Sequence, residues 1–150
     1  MRAVIQRVSS AALQADGQHR GSIQTGFVVL IGIEDADDRA DADWLAEKII
    51  RMRLFNDLDG KMNLSLAEVN GAVMIISQFT LHAGTKKGNR PSFIKAARPE
   101  HAIPLYEYAI SKFASALSTP VVTGIFGADM KVSLVNDGPV TILLDSKNKE

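Results

Sequence analysis

Residues 77–81 read Ser-Gln-Phe-Thr-Leu and close the most apolar strand-like stretch of the chain, GAVMIISQFTL from Gly71 to Leu81. Alternation sets Ala72, Met74, Ile76, Gln78 and Thr80 on one side and Val73, Ile75, Ser77, Phe79 and Leu81 on the other. Polar side chains therefore gather only at the carboxyl end, where the strand leaves the core, and polar groups there must be paired or used. Two readings stand side by side. One is a sheet edge capped by hydroxyls; the other is a pocket floor whose hydroxyls, amide and backbone N–H groups meet a ligand. The segment HAGTKKGNRPSF follows at once and sets Lys86, Lys87 and Arg90 beside that floor, as a solvated loop or as a holder of phosphates. Ser77, Gln78, Phe79 and Thr80 include no general base of suitable pKa. Thr80 carries a hydroxyl, but no neighbour in sequence would activate it as a nucleophile. Backbone N–H groups around Phe79 and Thr80 are the better candidates, as donors to a developing oxyanion.

Other chemical signatures fail on inspection. Asp57-Leu-Asp59-Gly60 resembles part of a calcium loop, but in that register position 1 is Phe55 and position 12 is Leu66, so the ligands are missing and a plain turn is expected. Gly84-Thr-Lys-Lys-Gly88 lacks the Gly-Lys-Ser/Thr ending of a phosphate loop. His19, His82 and His101 are scattered without metal-ligand spacing, and no Gly-x-Ser-x-Gly elbow is present. No metal and no cofactor are expected.

A second stretch needs explaining. Asn-Asp-Gly-Pro-Val-Thr, residues 136–141, places a Gly-Pro pair among Val132, Leu134, Val140 and Ile142, all suited to a sheet. Proline removes a ladder donor and glycine weakens a strand. An X-Pro bond is cis in only ~5–6% of folded cases, so Gly138-Pro139 taken alone reads as a trans turn.

The elements that must position these residues follow from periodicity. Ala3–Val8 reads as a strand, and 11–15 and 19–23 flank Asp16-Gly17, a hairpin signal because the turn needs positive φ. Residues 27–33 form a continuous apolar run, a buried strand. Asp35–Asp38 offer N-caps for a helix to about Arg53, with Leu45, Ile49 and Met52 inward and Trp44 alongside. Residues 56–60 make a polar turn, 72–81 a strand, and 100–117 a second helix with Tyr106, Ala109, Ile110, Phe113 and Leu117 on one face. Pro104 conflicts with a start at Pro99 and predicts either a start near Ala102 or a kink. Short strands are expected at 121–126, 130–135 and 140–144, with Ser-Lys-Asn-Lys-Glu (146–150) as a frayed tail. The order lacks regular βαβ alternation and reads as α+β: a largely antiparallel sheet or barrel covered by two helices, in a single domain spanning 1–150.

The totals set bounds. A chain of 150 residues with 46% hydrophobic and 23% charged residues suits one globular domain, able to bury roughly 68–70% of its unfolded surface. No stretch approaches the ~18 apolar residues of a membrane span, and the opening MRAVIQRVSS lacks the apolar core of a signal peptide. The absence of cysteine excludes disulfides and fits a cytoplasmic protein. With 17 acids and 17 bases the chain is neutral, which argues against indiscriminate coating of nucleic acid. The charges are segregated, however. Seven acids and one base lie between Glu34 and Glu47, and five bases (Lys86, Lys87, Arg90, Lys95, Arg98) and no acid between Val69 and Pro99. One cationic surface on a neutral protein can grip one end of a polyanion.

Together, SQFTL (77–81), NDGPVT (136–141), the MRAVIQRVSSA opening and GTKKGNRPSF (84–93) closely resemble the D-aminoacyl-tRNA deacylase family, and the likeness runs from Met1 to about Asp145. The resemblance implies an ester hydrolase that frees D-amino acids from the 3′ end of tRNA. It implies a homodimer with its sites at the interface, in which a cis Gly138-Pro139 element enters the partner's pocket. It assigns Ser77, Gln78, Phe79 and Thr80 to the catalytic segment. It also assigns Phe126 and Met130, in GIFGADM, to the terminal adenine, by ring stacking and a thioether contact; core packing suits both equally well. Arg7 matches the opening motif and would hold the inserted element, or else is an ordinary strand-surface charge. The family's chemistry is consistent with water assisted by the RNA's own terminal 2′-hydroxyl.

An enzyme of this kind must read handedness while ignoring the side chain, which a stiff backbone element over Cα can do. Carbonyls of Gly138 and Pro139 that accept the substrate's α-ammonium would drive an L side chain into the pocket wall. Glycine has nothing to clash, so glycyl-tRNA should also be cleaved. Two other classes compete: a non-catalytic nucleic-acid-binding module using the basic loop 84–98, and an esterase of small D-amino acid esters, for which the cationic stretch has no use.

Overall fold

The structure, a computed structural model, describes residues 1–149. Strand β1 (Arg2–Ala15) is its spine. One edge pairs antiparallel first with β3 (Gly26–Gly32) and then, beyond Ser10, with β2 (Gln18–Ile23); the other edge pairs antiparallel with β8 (Met130–Asp145) from Arg2 to Ala15. The β1–β2 turn is the expected one: Asp16 and Gly17 take φ of 49° and 76°, the double left-handed geometry that matches strand twist. On the far side, β3 pairs with β6 (Ala72–Ser77) and β6 with β7 (Val121–Thr123), both parallel.

The element order lacks regular βαβ alternation, yet these parallel pairs make two βαβ units that the order does not show. Helix α1 (Arg39–Arg51) lies between β3 and β6, and α2 (Pro99–Ala116) between β6 and β7, so the chain makes two crossover connections. A small hairpin of β4 (Phe55–Asn56) and β5 (Met62–Leu64) interrupts the first and hides it from a reading of element order. The sheet curls until β2 meets β7, where a Cβ on Gly21 would lie 2.9 Å from Val122 Cγ1. The result is an α+β fold with a nearly closed, barrel-like sheet and two helices.

The core lies on both faces of the β3–β6 pair. Phe27, Val29, Ile31, Val73 and Ile75 meet Leu45 and Ile49 of α1 and Leu105, Tyr106 and Phe113 of α2. Val28, Met74 and Ile76 face inward against Val8, Leu13 and Ile23. A parallel pair buried on both faces needs continuous apolar runs, as the sequence has here. Helix α1 opens on a capping box in which Asp38 accepts from the Asp41 N–H and Asp41 from the Asp38 N–H.

Four further boundaries differ from expectation. Strand β6 stops at Ser77, and residues 79–82 form a turn of 3-10 helix. Helix α2 begins at Pro99 rather than near Ala102: proline suits a first helical position, whose N–H needs no partner. Pro104 sits inside it and forfeits one bond. Strand β7 ends at Thr123, and the last two expected strands are one, β8, with register shifts opposite Gln6–Ser10. Of the tail expected to fray, 146–150, residues 146–149 are held in place, and Glu150 lies outside the described residues. Ser146 is buried, accepts from the Met1 ammonium at 2.8 Å and donates its N–H to the Met1 carbonyl, while Lys147 reaches Asp41 at 2.6 Å. Asp57 forms the expected turn, its Oδ1 accepting from the Asp59 and Lys61 N–H groups. No helix among the described residues is long and apolar enough to cross a membrane.

Candidate active site

The parallel strands β3, β6 and β7 all end at one cavity of about 280 Å³. Its walls come from Ile31 and Ile33 at the end of β3, from Ile76, Ser77, Gln78 and Phe79 at the end of β6, from Phe126, Gly127 and Ala128 in the loop between β7 and β8, and from Met130 and Val132 of β8; Ala97 and Ala102 close it at the start of α2. The carboxyl ends of parallel strands are where such crevices form, because successive connections diverge there. Five of the residues singled out in the sequence (Ser77, Gln78, Phe79, Phe126 and Met130) thus meet in one place.

Among the described residues the lining holds no acidic, basic, histidine or cysteine side chain. The polar groups it offers are a hydroxyl, an amide and main chain. The Gln78 N–H donates to the Ile31 carbonyl at 2.7 Å, fixing the start of the turn to β3. Gln78 Nε2 donates to Thr80 Oγ1 at 2.6 Å, and Thr80 stands beside the cavity rather than in its wall. Among the described residues the N–H groups of Phe79 and Thr80 have no intramolecular acceptor, as expected of the first donors of a helical turn. The turn can lean this closely on β3 because Gly32 lacks a side chain: a Cβ there would lie 2.9 Å from both the Gln78 carbonyl oxygen and Leu81 Cβ.

Beneath the cavity, Tyr106 of α2 donates its hydroxyl to the Ile75 carbonyl at 2.9 Å, and the Gly124 N–H donates to the same oxygen at 3.0 Å. Burial pushes the Tyr106 phenol up to about 12, so it stays a neutral donor. Its ring lies 6.2 Å from that of Phe126. Tyr106 reads in sequence as one more apolar residue of the helix stripe; nothing in the spacing shows that its hydroxyl ties α2 to the strand before Ser77.

Gly138 and Pro139 lie elsewhere. They are exposed on β8, joined by a cis peptide bond, and contribute nothing to the cavity wall of their own chain. Arg7 is buried behind them: Nε donates to the Asp137 carbonyl at 2.8 Å and Nη1 to the Leu54 carbonyl at 2.6 Å. Asn136 Oδ1 accepts from the Val140 N–H at 2.9 Å, closing the loop over the pair. Lys86, Lys87 and Arg90 are exposed on a loop pinned by reciprocal Gly84–Ser92 hydrogen bonds, and none takes part in an ion pair among the described residues. No group of three His, Cys, Asp or Glu side chains there is placed to hold a metal.

A larger groove of about 550 Å³ runs past Arg2, Trp44, Lys48, Leu81, Leu143 and Lys149. Several of its polar groups satisfy one another: Arg2 pairs with Asp145 at 2.9 Å and donates to the Leu81 carbonyl, and Lys149 lies over the Trp44 ring. Leu81 and Arg2 of the marked motifs border it, but none of Ser77, Gln78, Phe79, Thr80, Phe126, Met130, Gly138 and Pro139 does. Size alone does not make it the reactive site.

Comparison with known proteins identifies the family. The family model described as D-Tyr-tRNA(Tyr) deacylase matches residues 4–145. Proteins from Flavobacterium johnsoniae and Akkermansia muciniphila, both named D-aminoacyl-tRNA deacylase, are 57% and 59% identical over 100% of both chains. A solved structure named c-Myc DNA Unwinding Element Binding Protein superposes with a TM-score of 0.90 at 35% identity, covering 97% of this chain and 98% of that one. Another, described as a probable eukaryotic D-amino acid tRNA deacylase, shares the fold with a TM-score of 0.81 at 16% identity, over 95% and 97% of the two chains. A match across the strands and loops that build the cavity leaves one conclusion: the chain belongs to the D-Tyr-tRNA(Tyr) deacylase family, a family of ester hydrolases.

Proposed function

We propose that this protein, in the cytoplasm and as a homodimer, hydrolyses the ester joining a D-amino acid to the 3′ end of tRNA, without a cofactor. The observation that carries this reading is the cavity at the ends of β3, β6 and β7. It has no titratable side chain in its wall, yet it borders two backbone N–H groups with no acceptor of their own. A site without a general base suits a substrate that brings its own activating group, here the 2′-hydroxyl beside the ester. The Phe79 and Thr80 N–H groups then receive the developing oxyanion. Phe126 and Met130 flank the terminal adenine, and Lys86, Lys87 and Arg90 lie along the incoming phosphates.

Gly138 and Pro139 are exposed and absent from their own chain's cavity wall, which favours their delivery to a second copy. There their carbonyls accept the α-ammonium and fix the orientation of Cα. An L side chain meets the wall, a D side chain points to solvent, and glycine passes. Suppressing the L form ~1,000-fold requires roughly 4 kcal/mol, within reach of one steric clash in a site that does not relax. Arg7 keeps it from relaxing by tying the Asp137 carbonyl to that of Leu54.

A second reading, a nucleic-acid-binding module without turnover, is favoured by the free cations of the 84–98 loop and by the name of the 35% identical relative. One assay separates these and an RNA-independent esterase. Purified protein is given matched D- and L-aminoacyl-tRNA and a minimal D-aminoacyl-adenosine, and release of free amino acid is measured. Release from D- but not L-aminoacyl-tRNA is expected. Binding without release supports the module, and cleavage of simple D-esters as fast as of RNA substrates supports the esterase.

A further inference from the structure

Two of the large apolar side chains that the protein leaves in water, Phe79 and Phe93, meet beside the cavity, and a third, Ile94, follows Phe93 in the chain. Phe79 is 53% exposed, Phe93 37% and Ile94 90%. Phe79 lines the cavity, and Phe93 meets it edge to face, with ring centroids 5.2 Å apart and planes at 76°. Both rings keep part of their surface in solvent. Contiguous exposed apolar surface of this kind marks a contact site. The segment that carries Phe93 and Ile94 is cationic: Lys86, Lys87, Arg90 and Lys95 are exposed, and no acid occurs in sequence between Val69 and Pro99, although Glu34 reaches its far end by a bridge to Ala96. Aromatic faces beside free cations are the chemistry by which proteins hold single-stranded nucleic acid, stacking the bases and pairing with the phosphates.

We propose that Phe93, with Phe79 and Ile94, forms a stacking platform for the nucleotide immediately 5′ of the terminal adenosine, a subsite outside the catalytic cavity. This rests on the reading of the cavity as the seat of the aminoacylated adenosine. A chain leaving that cavity past Phe79 encounters Phe93 next, and the basic loop then follows its backbone. The contact is blind to base identity, because every base has a π face, and it serves an enzyme that must act on many tRNAs.

The test compares three substrates: D-aminoacyl-adenosine, the same ester extended by one 5′ nucleotide, and that dinucleotide with an abasic 5′ residue. The abasic form keeps the added phosphate and removes the base. For the wild-type protein the platform predicts that the added base raises kcat/KM by about 5- to 150-fold over the abasic dinucleotide. In Phe93→Ala that ratio collapses towards one, Phe93→Trp preserves it, and Ile94→Ser reduces it. The proposal is overturned if the wild-type ratio is one, or if Phe93→Ala leaves the ratio intact. It is equally overturned if Phe93→Ala and Ile94→Ser change the sedimentation coefficient while keeping the ratio, which would make this face a contact between copies. Wild-type protein that cleaves none of the three substrates would instead remove the underlying reading of the cavity, and the platform with it.

Discussion

Thr80 is the residue whose role the geometry narrows most. Its hydroxyl accepts from the Gln78 amide at 2.6 Å, stands beside the cavity rather than in its wall, and has no base within the segment to draw its proton. Removing it deletes one hydrogen bond, worth about 1 kcal/mol. Thr80→Ala should therefore retain kcat within roughly tenfold of wild type, measured in single turnover on D-aminoacyl-tRNA. Replacing the substrate's terminal 2′-hydroxyl by hydrogen should lower kcat by roughly 10²–10⁴, the range of a general acid–base contribution. An inactive but folded Thr80→Ala would return the chemistry to the threonine. Much of the cavity was legible at this scale, since Ser77, Gln78, Phe79, Phe126 and Met130 do converge. What the sequence hid was the wall supplied by Ile31, Ile33, Ala97 and Ala102, whose side chains are indistinguishable from core.

At the scale of elements, the 3-10 turn of residues 79–82 and the 136–141 stretch of β8 are the two pieces to which the proposed function gives roles, each fixed by a contact remote in sequence. The turn replaces the end of a strand because Gly32 lets it fold against β3. Alternation alone continues the strand to Leu81, since the glycine that stops it lies 45 positions upstream of Ser77. The β8 stretch is held by Arg7, whose fork reaches two carbonyls at once. Lysine cannot reproduce that bidentate hold. Arg7→Lys should therefore loosen discrimination, raising hydrolysis of L-aminoacyl-tRNA at least about tenfold relative to the D form, as read from matched time courses. Unchanged selectivity would assign Arg7 to stability alone. Local signals did predict the hairpin at Asp16-Gly17 and the cap at Asp38, because turn chemistry and capping are written within four residues. Both crossovers went unread because their strands find each other only through tertiary packing.

At the scale of the molecule, Met1 and the 146–147 segment are part of the fold. The Met1 ammonium pairs with the buried Asp37 carboxylate, and Ser146 and Lys147 tie the end of the chain to the same region. A polar tail reads as frayed because its partners lie 106 and 145 positions away. Burial pushes the Asp41 carboxyl up, but hydrogen bonds from Lys147, the Asp38 N–H and Ser146 outweigh it and hold it at about 2. A carboxyl depressed by folding adds stability that is complete above its unfolded value, ~4, and is lost as pH falls through about 2. The thermal midpoint should therefore fall between pH 4 and 2, and Lys147→Met should make that limb shallower, as followed by circular dichroism; an unchanged limb would show that the pair does not form. The account as a whole turns on sorting mirror images by exclusion, without reading the side chain. Its most direct measurement offers the purified protein D-aminoacyl-, L-aminoacyl- and glycyl-tRNA at equal concentration and follows release of each amino acid. Release from the D and glycyl forms with the L form intact is the result expected; glycyl-tRNA left whole at concentrations that clear the D form would contradict it.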